Sequence, residues 1–535
     1  MRFATLALLA TAISLPAFTA TTTPAAAQAR ASDAVEVRID ATKPGATISR
    51  DIFGQFAEHL GTGIYGGVWV GKDSKIPNVR GIRTDVVNAL RAIRAPLVRW
   101  PGGCFADEYH WRDGVGPAKN RRSSINSNWG GSVETSAFGT DEFMDFVGQV
   151  GAEVYLNVNV GSGTVKEAAD WVAYMTADPT TSAGKERADN GHREPYKIKY
   201  LGLGNESWSC GGAMRPEFYA DQMKLYARFV RNYHPEQGEG KPDAMLRVAV
   251  GPGDDNTAYT DEVMKTWKQH DWAWSIESLS LHRYTTGGWP PSYPSDAFDE
   301  GAYARLVKET LGMDGFIKAN AAVMDKYDPE KKVSLAVDEW GVWLKPLPGT
   351  NPGFLQQQNS LRDAIIAALN INIFARHADR VKLTNIAQMI NVLQAMILTD
   401  EEKMVLTPTY HVFKMYVPFQ DATFIPVSFQ AGTFQHGDIT MPRIDAVAAK
   451  DKQGKYWLAL TNVDTQRAAP VTVNVAGLNV RSARGEVLTA PKVDSINSFA
   501  APNTVSPKPI TGSVRGGKLT IDMPAKSVAV IALEP

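Results

Sequence analysis

The amino-acid sequence predicts an α/β protein: a (β/α)₈ barrel with a C-terminal β-sandwich that also takes in an N-terminal strand. Two observations support this fold. Between residues 52 and 418, eight short apolar runs alternate with helical segments, and after about residue 420 short strands follow one another without a convincing helix. Strands that alternate with helices form parallel βα units, and eight such units close a barrel.

The barrel strands are predicted in eight runs, each followed by glycine or polar residues. In chain order the runs are FGQFAEHLG, APLVRWPGG, AEVYLNVNVG, IKYLGLGNE, LRVAVGPG, IESLSLHRY, VSLAVDEWG and NIAQMINVL. Helical stretches such as TDEFMDFVGQVG and SLRDAIIAALNINIFARHAD lie between them. An open doubly wound sheet is the alternative, but its first strand normally leads into a glycine-rich phosphate loop, and FGQFAEHLG is not one. We therefore predict the barrel.

The two ends of the chain complete the predicted organisation. VEVRIDA, which begins at Val35, alternates apolar and polar residues as a half-buried strand does, and the barrel has no place for it. This strand is expected to pair with the C-terminal sandwich, which contains YWLALTNVD and APVTVNVAG. The predicted domains are residues 30–51 for the strand, 52–418 for the barrel and 419–535 for the sandwich.

Residues 1–29 are predicted to be a cleavable signal peptide. Arg2 gives it a positive start, ATLALLATAISLPAF an apolar centre, and AAAQA a small-residue cleavage site that ends at Ala29. The apolar run is too short and too rich in Ala and Thr for a membrane span. The sequence therefore predicts a periplasmic or secreted protein that has no membrane partner once the leader is removed.

Charge and cysteine content exclude other classes of partner. The formal net charge is −1 and like charges form no blocks, whereas binding to nucleic acid or anionic membranes depends on clustered Lys and Arg. Only two cysteines are present, neither in a CxxC, and the His residues lack the paired spacing of a zinc site. No metal and no cofactor is predicted.

Candidate catalytic residues lie where two predicted strands end. The fourth run ends in Asn205 and Glu206, and the seventh ends in Glu339. Side chains at the carboxyl ends of barrel strands face the active site. A pair of carboxylates there suits glycosidic bond cleavage, in which one donates a proton and the other attacks or activates water. Each Glu could instead be a surface acid or the partner of an Arg, but the strand positions and the flanking Asn205 and tryptophans favour catalysis.

Six motifs in order make the sequence resemble the α-L-arabinofuranosidases of glycoside hydrolase family 51. They extend from Phe53 to Leu393 and are FGQFAEHLG, VRWPGGCFADEYHWRDGVGP, GKERADNGHREPYKIKYLGLGNESW, LSLHRY, VDEWGVW and NIAQMINVL. The resemblance implies a retaining double displacement with Glu206 as general acid/base and Glu339 as nucleophile. Their carboxyl groups should then lie roughly 5 Å apart, because no water fits between them during attack.

The resemblance also implies a set of sugar ligands. Asn205 would hydrogen-bond the 2-hydroxyl, and Glu58 and Gln388, at the ends of the first and eighth strands, would bind other hydroxyls. Trp343 and Trp129 could wall the furanose subsite, because tryptophan faces stack on C–H-rich sugar surfaces, and of the two we predict Trp343 only. For Glu58 the alternative is an ion pair at the barrel rim.

Three further residues are expected around the nucleophile. Arg99 would keep Glu339 ionised and oriented, because an adjacent cation favours the charged form of a carboxyl group. By the resemblance, Tyr284 would donate a hydrogen bond to Glu339. Two structural alternatives stay open: Arg99 could be a cation of the barrel floor, and His282, on the same strand face as Tyr284, could be structural rather than substrate-binding.

Cys104 departs from the family pattern, in which many members have an Asn that binds the sugar at this position. Cys210 follows the predicted acid/base by four residues, and both cysteines belong on the same face of the barrel. We hypothesise that they form a disulfide that joins two loops beside the sugar subsite. Two buried free thiols are the alternative.

The expected activity is that of an exo-α-L-arabinofuranosidase on arabinan, arabinoxylan or their oligosaccharides from the plant cell wall. Two alternatives differ in substrate or in class: a retaining endo-β-glucanase or β-xylosidase on the same barrel, and a non-catalytic glycan-binding protein. A binding protein could lose either carboxylate, and both are present. Insertions at residues 285–300 and 344–358 are expected to shape the entrance, and a homo-oligomer is expected because family members are often oligomeric.

Overall fold

The centre of the molecule is a closed barrel of eight parallel strands. The computed structural model describes residues 35–516 and 518–535, and strand labels run in chain order from β1, Val35–Asp40. The barrel strands are β2 (Gly54–Phe56), β3 (Leu97–Trp100), β4 (Glu153–Val158), β5 (Tyr200–Leu203), β6 (Leu246–Ala249), β7 (Ser278–Thr285), β8 (Ser334–Val342) and β9 (Val381–Ile386). Each pairs with its sequence neighbours, and β9 pairs with β2. The predicted (β/α)₈ barrel is confirmed.

Helices cover the outside of the barrel. The α-helices are α1 (Thr84–Ala92), α2 (Thr140–Val150), α3 (Val165–Thr176), α4 (Ser182–Asp189), α5 (Pro216–Phe229), α6 (Ala258–Gln269), α7 (Glu300–Leu311), α8 (Met313–Tyr327), α9 (Leu361–Arg376) and α10 (Pro408–Met415). Short 3₁₀ helices span Arg50–Phe53, Cys104–Asp107, Trp111–Gly114, Ala118–Asn120, Pro352–Phe354 and Val417–Phe419. Within residues 35–516 and 518–535, none of the helices has the length and apolar character that crossing a bilayer requires.

Helix α2 shows how the sequence forms this outer layer. Its apolar residues Phe143, Phe146, Val147 and Val150 recur at helical spacing and are buried. Gly151 follows with a positive φ of 81°, a left-handed conformation that glycine adopts without steric cost and that ends many helices. The chain then enters β4 directly.

The eighth strand lies earlier than the sequence predicted. NIAQMINVL overlaps β9 only at Asn385 and Ile386, because the strand itself is VKLTNI. After Ile386 the chain leaves the sheet, and Val392 and Leu393 pack with Phe56 at the mouth of the barrel. An apolar run that is buried as a loop has the same composition as a buried strand, so composition alone could not separate the two.

A bulge between β7 and β8 changes the direction of side chains at the barrel mouth. Ser280 pairs with Ala336, but His282 pairs with Glu339, so β8 contains one extra residue at this point. Successive residues of a regular strand point to opposite faces, and a bulge interrupts that alternation. Asp338 and Glu339 can therefore both approach His282.

The C-terminal part is a ten-stranded β-structure that includes β1. Its other strands are β10 (Thr423–Ile425), β11 (Val427–Gln430), β12 (Ile444–Lys450), β13 (Tyr456–Asn462), β14 (Ala469–Ala476), β15 (Ser482–Thr489), β16 (Lys508–Arg515), β17 (Lys518–Met523) and β18 (Ser527–Glu534). The strand order is β10-β12-β13-β18-β15-β16-β17-β14-β1-β11. Strand β1 pairs in parallel with β14 and antiparallel with β11, which confirms that the N-terminal strand joins this sheet.

Four two-stranded hairpins complete the secondary structure of the described residues. They pair Asn78–Val79 with Ile82–Arg83, Ser124–Asn126 with Ser132–Glu134, Ile397–Asp400 with Lys403–Leu406, and Thr433–His436 with Ile439–Pro442.

Helix α9 connects the barrel to the β-structure. Its residues from Leu361 to Ala375 are all buried, and Ser360 and Asp363 form a capping box at its start. Near its end, Asn372 and Arg376 both hydrogen-bond Asp445 of β12. The exact limits of the predicted domains stay a prediction.

Candidate active site

Two carboxylates meet at the carboxyl ends of the barrel strands. Glu206 lies three residues after β5, and Glu339 lies within β8. An oxygen of each, together with a ring nitrogen of His282, lies within 4.8 Å of the others. Retaining glycosidases hold their two carboxyl groups about 5–5.5 Å apart and inverting enzymes about 6.5–9.5 Å, so this separation fits retention.

Glu339 is fixed by donors on both oxygens. Arg99 Nη1 donates to its Oε1 at 2.7 Å, and Tyr284 OH donates to its Oε2 at 2.7 Å. Burial and the negative Glu339 raise the pKa of Tyr284 well above its ordinary value, so the phenol stays a donor. A Cβ atom on Gly103 would lie 2.7 Å from Glu339 Oε1, so only glycine leaves room for the carboxylate.

Glu206 is the more accessible of the two acids. Its side chain is 18% exposed, against 7% for Glu339. Its Oε1 lies 2.8 Å from His282 Nδ1. The preceding backbone N–H, that of Asn205, donates to Asp107 Oδ2 at 2.9 Å, which holds the turn after β5 in place. An acid that must contact both a leaving group and water needs this access.

His282 contacts three carboxylates. Its Nδ1 lies 2.8 Å from Glu206 and 3.5 Å from Glu339, and its Nε2 lies 3.3 Å from Asp338 Oδ1. Burial lowers the pKa of His282, but these carboxylates outweigh it and raise the pKa to about 10. At neutral pH His282 is therefore an imidazolium that donates from both ring nitrogens.

Asp338 is a site residue that the sequence analysis missed. Burial raises its pKa, but Arg99 and His282 outweigh burial and lower it to about 2. It also accepts a hydrogen bond from Tyr155 OH at 2.6 Å. Its only sequence signal is its place beside Glu339, and alternation along a strand argues that neighbours point apart. The bulge in β8 explains why both acids reach the site.

Glu58 accepts four hydrogen bonds. Its Oε1 accepts from the Gly103 and Phe105 backbone N–H groups at 2.9 and 3.1 Å and from Trp129 Nε1 at 2.9 Å. Its Oε2 accepts from Gln388 Nε2 at 2.9 Å. Burial, followed by repulsion from Glu339, raises the pKa of Glu58 to about 7. No cation pairs with Glu58 in the described part of the chain, so the rim ion pair considered above is not what the structure shows.

Asn205 is oriented by Arg99. Arg99 Nη2 donates to Asn205 Oδ1 at 2.6 Å. The amide NH₂ group donates one hydrogen bond to Cys210 Sγ at 3.8 Å and has a second N–H. Arg99 thus contacts a sugar-ligand candidate and the nucleophile candidate with one rigid guanidinium group, a geometry that Lys does not reproduce.

Comparison with known proteins decides the family. A family model described as Alpha-L-arabinofuranosidase 1 domain matches residues 89–289, and one described as Alpha-L-arabinofuranosidase C-terminal domain matches residues 338–527. The crystal structure of the GH51 arabinofuranosidase from Xanthomonas axonopodis pv. citri is 50% identical, with a TM-score of 0.90 over 94% of this chain and 100% of that chain. The chain belongs to the α-L-arabinofuranosidases of glycoside hydrolase family 51. The resemblance stated from the motifs is confirmed, and the protein is a glycoside hydrolase.

Two further family members show the range of similarity. A protein of Bacteroides ovatus named an intracellular exo-alpha-L-arabinofuranosidase is 45% identical over 490 residues, 91% of this chain and 93% of that protein. The Thermotoga maritima α-L-arabinofuranosidase, solved as an arabinose complex, is 29% identical, with a TM-score of 0.79 over 94% of this chain and 100% of that chain.

The same comparison corrects the predicted location. A periplasmic or secreted protein was predicted from the leader, and this prediction is wrong, because the 45% identical relative is named an intracellular enzyme. The expectation depended on the composition of residues 1–29 alone, and the predicted signal peptide lies outside the described residues.

Aromatic side chains line the mouth of the site in this family 51 chain. The Trp343 ring lies 5.1 Å from that of Tyr284, 6.4 Å from that of Trp129 and 5.3 Å from that of Trp289. Trp289, which the sequence analysis did not single out, belongs to the predicted insertion 285–300 and is 71% exposed. Trp340, which follows Glu339, is fully buried and donates to Thr384, so it belongs to the core.

The two cysteines of the family 51 chain form a disulfide beside Glu206, in agreement with the hypothesis from the sequence. Cys104 and Cys210 are joined with a Cα–Cα distance of 5.5 Å. Cys210 Sγ lies 3.5 Å from Glu206 Oε2. Because a disulfide sulfur carries no proton, this is a packing contact rather than a donated hydrogen bond. The bridge connects the loop after β3 to the loop after β5.

Two clusters in the described residues have the composition of a metal site. One contains Cys104, Glu206 and Cys210, but its sulfur atoms are used by the disulfide. The other contains Glu206, His282 and Glu339, and there His282 Nδ1 already lies 2.8 Å from Glu206 and 3.5 Å from Glu339. The chemistry of both donor sets therefore favours proton transfer and packing over metal binding.

Proposed function

We propose that the protein is a retaining exo-α-L-arabinofuranosidase that releases terminal non-reducing α-L-arabinofuranosyl residues by double displacement. The observation that carries this proposal is the approach of Glu206 and Glu339 oxygens within 4.8 Å at the carboxyl ends of β5 and β8. This spacing leaves no room for a water between them, so one carboxylate must attack the sugar itself.

In the first step Glu339 acts as nucleophile. One of its carboxylate oxygens forms a bond to the anomeric carbon while the bond from that carbon to the glycosidic oxygen breaks. Glu206 transfers its proton to the departing oxygen, so the aglycone leaves as an alcohol. The products of this step are an ester between arabinose and Glu339 and an ionised Glu206.

In the second step water enters at the position the aglycone has left. Glu206 removes a proton from the water, whose oxygen bonds to the anomeric carbon as the ester bond to Glu339 breaks. Glu339 is again a carboxylate and Glu206 is again protonated. Two inversions give net retention of the anomeric configuration.

The surrounding charges prepare Glu339 for attack. Arg99 Nη1 lies 2.7 Å from Glu339 Oε1, and His282 Nδ1 lies 3.5 Å from Glu339 Oε2, so positive charge surrounds the attacking group. Asp338 accepts from the opposite ring nitrogen of His282 and so fixes the ring plane. Because these groups are already buried and hydrogen-bonded, little reorganisation is needed when charge moves during the reaction.

The remaining polar groups support an arabinofuranosyl ligand. The second amide N–H of Asn205 suits the sugar 2-hydroxyl, and Glu58 and Gln388 suit other hydroxyl groups of the ring. The aromatic groups Trp129, Trp289 and Trp343 surround the mouth, which supports a pocket that takes one terminal residue. We infer that the substrates are arabinan, arabinoxylan or their oligosaccharides from plant cell walls.

Two substitutions test the roles of the acids. With an aryl α-L-arabinofuranoside that has an activated leaving group, Glu339→Ala should abolish turnover. Glu206→Ala should lose about 10²–10⁴-fold and regain activity with azide, which attacks the covalent intermediate without base assistance. Glu217→Ala, which removes an exposed acid at the start of α5, is the matched control and should leave the rate unchanged. Wild-type rates in both site variants would show that this pair does not carry the reaction.

The sugar specificity needs a separate measurement. Aryl α-L-arabinofuranoside, β-xyloside and β-glucoside should be compared with the unmodified enzyme, and we expect turnover of the arabinofuranoside to dominate. A higher kcat/KM on either pyranoside would favour a β-xylosidase or β-glucanase, because those enzymes share the two-carboxylate chemistry.

A further inference from the structure

A second cavity lies at the end of the barrel opposite the active site. It has a volume of about 450 Å³ and is enclosed by the end of α5 and by the loops that lead into β6 and β7. Arg247, near the start of β6, and Glu277, just before β7, form part of its wall. Glu206 and Glu339 lie at the carboxyl ends of the strands, so the two cavities open on opposite faces.

Exposed aromatic rings border this cavity. Trp272 is 81% exposed and Tyr233 is 54% exposed, and Trp274, in the same loop as Trp272, is partly buried. Single exposed apolar residues are common, but two large aromatic rings at the rim of one concave site are the pattern of a binding surface. Both Trp and Tyr combine a broad apolar face with a polar tip, which suits ligands that keep one face exposed to solvent.

The cavity is lined by equal numbers of cationic and acidic side chains. The cationic side chains are Arg228, Arg231 and Arg247, and the acidic side chains are Glu239, Asp271 and Glu277. A polyanion would require an excess of cations, and a divalent metal would require an excess of carboxylates. A balanced lining fits a neutral ligand that has many hydroxyl groups, since these both donate and accept.

The side chain of Arg247 is only partly available to a ligand. The Nε atom of Arg247 is buried and has no hydrogen-bond partner in the described part of the chain. Its Nη1 donates to the Ser275 carbonyl at 3.3 Å and lies 3.6 Å from Glu277 Oε1. The Arg247 side chain is 16% exposed, so part of it faces the cavity, whereas its buried Nε atom lies out of a ligand's reach.

We propose that this cavity is a second glycan-binding site. A sugar ring stacks its C–H face on Trp272, and its hydroxyl groups bond to the arginines and carboxylates of the lining. The volume accommodates about one or two sugar units, given that ligand cavities of 300–1,000 Å³ hold small molecules of that size or larger. The choice of arabinose-decorated polysaccharide as the ligand depends on the proposed function, whereas the site itself does not.

The position of the site defines what it can do. A chain bound at Trp272 cannot place its adjacent sugar at Glu339, because the two cavities lie at opposite ends of the barrel. The site therefore anchors the enzyme to a neighbouring chain or a remote segment of its substrate. Loss of this site should weaken polysaccharide binding, because a polymer held at two sites binds with higher avidity than at one. Hydrolysis of a small aryl glycoside should not change, because such a substrate occupies the active site alone.

The test measures binding to soluble arabinoxylan and arabinan in native gels that contain the polysaccharide. The background is Glu339→Ala, so that the ligand is not degraded. Adding Trp272→Ala, or separately Tyr233→Ala, should raise the dissociation constant about tenfold, since removal of an aromatic anchor has effects of this order. Phe218→Ala is the matched control, because Phe218 is an exposed aromatic on helix α5, whose end lines the cavity, but lies outside the cavity itself.

Each outcome has a defined meaning. Retardation that is lost in the Trp272 and Tyr233 variants and kept in the Phe218 variant supports the site, and equal retardation in all three overturns it. In the Glu339-containing enzyme, Trp272→Ala should leave kcat/KM for the aryl α-L-arabinofuranoside within about twofold, as expected for a surface residue. If the proposed function failed, the wild-type enzyme would not cleave this aryl substrate, and a gel panel that includes xylan and β-glucan would still report on the Trp272 site.

Discussion

Replacement of Tyr284 by Phe is a precise perturbation of the proposed nucleophile. The substitution removes one hydroxyl group, which donates to Glu339 Oε2 at 2.7 Å, and keeps the ring that packs against Trp343 at 5.1 Å. Glu339 retains Arg99 on its other oxygen at 2.7 Å. The carboxylate therefore stays paired but loses the contact that fixes its rotation.

The expected size of the effect follows from the charge on the acceptor. A hydrogen bond to an ionised group contributes about 1.5–3 kcal/mol, and each 1.36 kcal/mol of barrier changes the rate tenfold, so kcat/KM should fall about 10- to 150-fold. The loss should appear mainly in kcat, because Tyr284 contacts the attacking group and misalignment raises the barrier of the chemical step. The melting temperature should change little, since no buried charge is left without a partner.

The assay is steady-state hydrolysis of an aryl α-L-arabinofuranoside, with thermal unfolding measured on the same samples. Tyr303→Phe is the control, because Tyr303 OH donates to the Val463 carbonyl at 2.8 Å, remote from the site. That variant should lose about 1 kcal/mol of stability and keep its kcat/KM. A change of about twofold is no larger than that of an ordinary surface mutation. If Tyr284→Phe kept kcat/KM within about twofold of the wild-type value, the alignment of Glu339 by Tyr284 would be refuted.

Two further predictions concern stability. Burial and Glu339 raise the pKa of Glu58 from 4.5 to about 7, so the folded state binds a proton more tightly than the unfolded state. The free energy of unfolding should therefore fall by up to about 3 kcal/mol as pH rises from 4.5 through 7, and Glu58→Gln should flatten this change in denaturant titrations; an identical pH profile in both proteins would count against it. The disulfide joins residues 106 positions apart, so Cys104→Ser with Cys210→Ser should lower the free energy of unfolding by about 2–4 kcal/mol. Two free thiols titrated in the denatured, unreduced wild type would contradict the bridge.

Sequence pattern could predict the parts of the site that follow from strand position. Glu58, Glu206 and Gln388 come within three residues of a strand's end, and the carboxyl ends of barrel strands all meet on one face. Glu339 and Tyr284 lie inside β8 and β7, but each is near the end of its strand. The barrel rule therefore placed Glu206 and Glu339 together without any knowledge of their distance. The roles of Glu58, Tyr284 and Gln388 were implied by the family resemblance.

Loop contacts could not be predicted in the same way. Trp129 donates to Glu58 although more than seventy residues separate them, and Trp289 reaches Trp343 from an exposed insertion. Neither lies at the end of a strand, and no periodic pattern marks the direction of a loop. The eighth strand shows the opposite failure, since a strongly apolar run, NIAQMINVL, proved to be mostly loop packed under the site.

The bulge in β8 is where pattern and chemistry conflict most directly. Strict alternation would send Asp338 and Glu339 to opposite faces of the barrel, and His282 would then contact only one of them. The extra residue places Asp338 Oδ1 3.3 Å from one ring nitrogen of His282 and Glu339 Oε2 3.5 Å from the other. Burial lowers the pKa of His282, but Glu339 on one side of the ring and Asp338 on the other outweigh it and raise the pKa to about 10. The charged ring lies between the two reacting acids. A local departure from regular strand geometry thus brings one buried imidazolium into contact with both reacting acids.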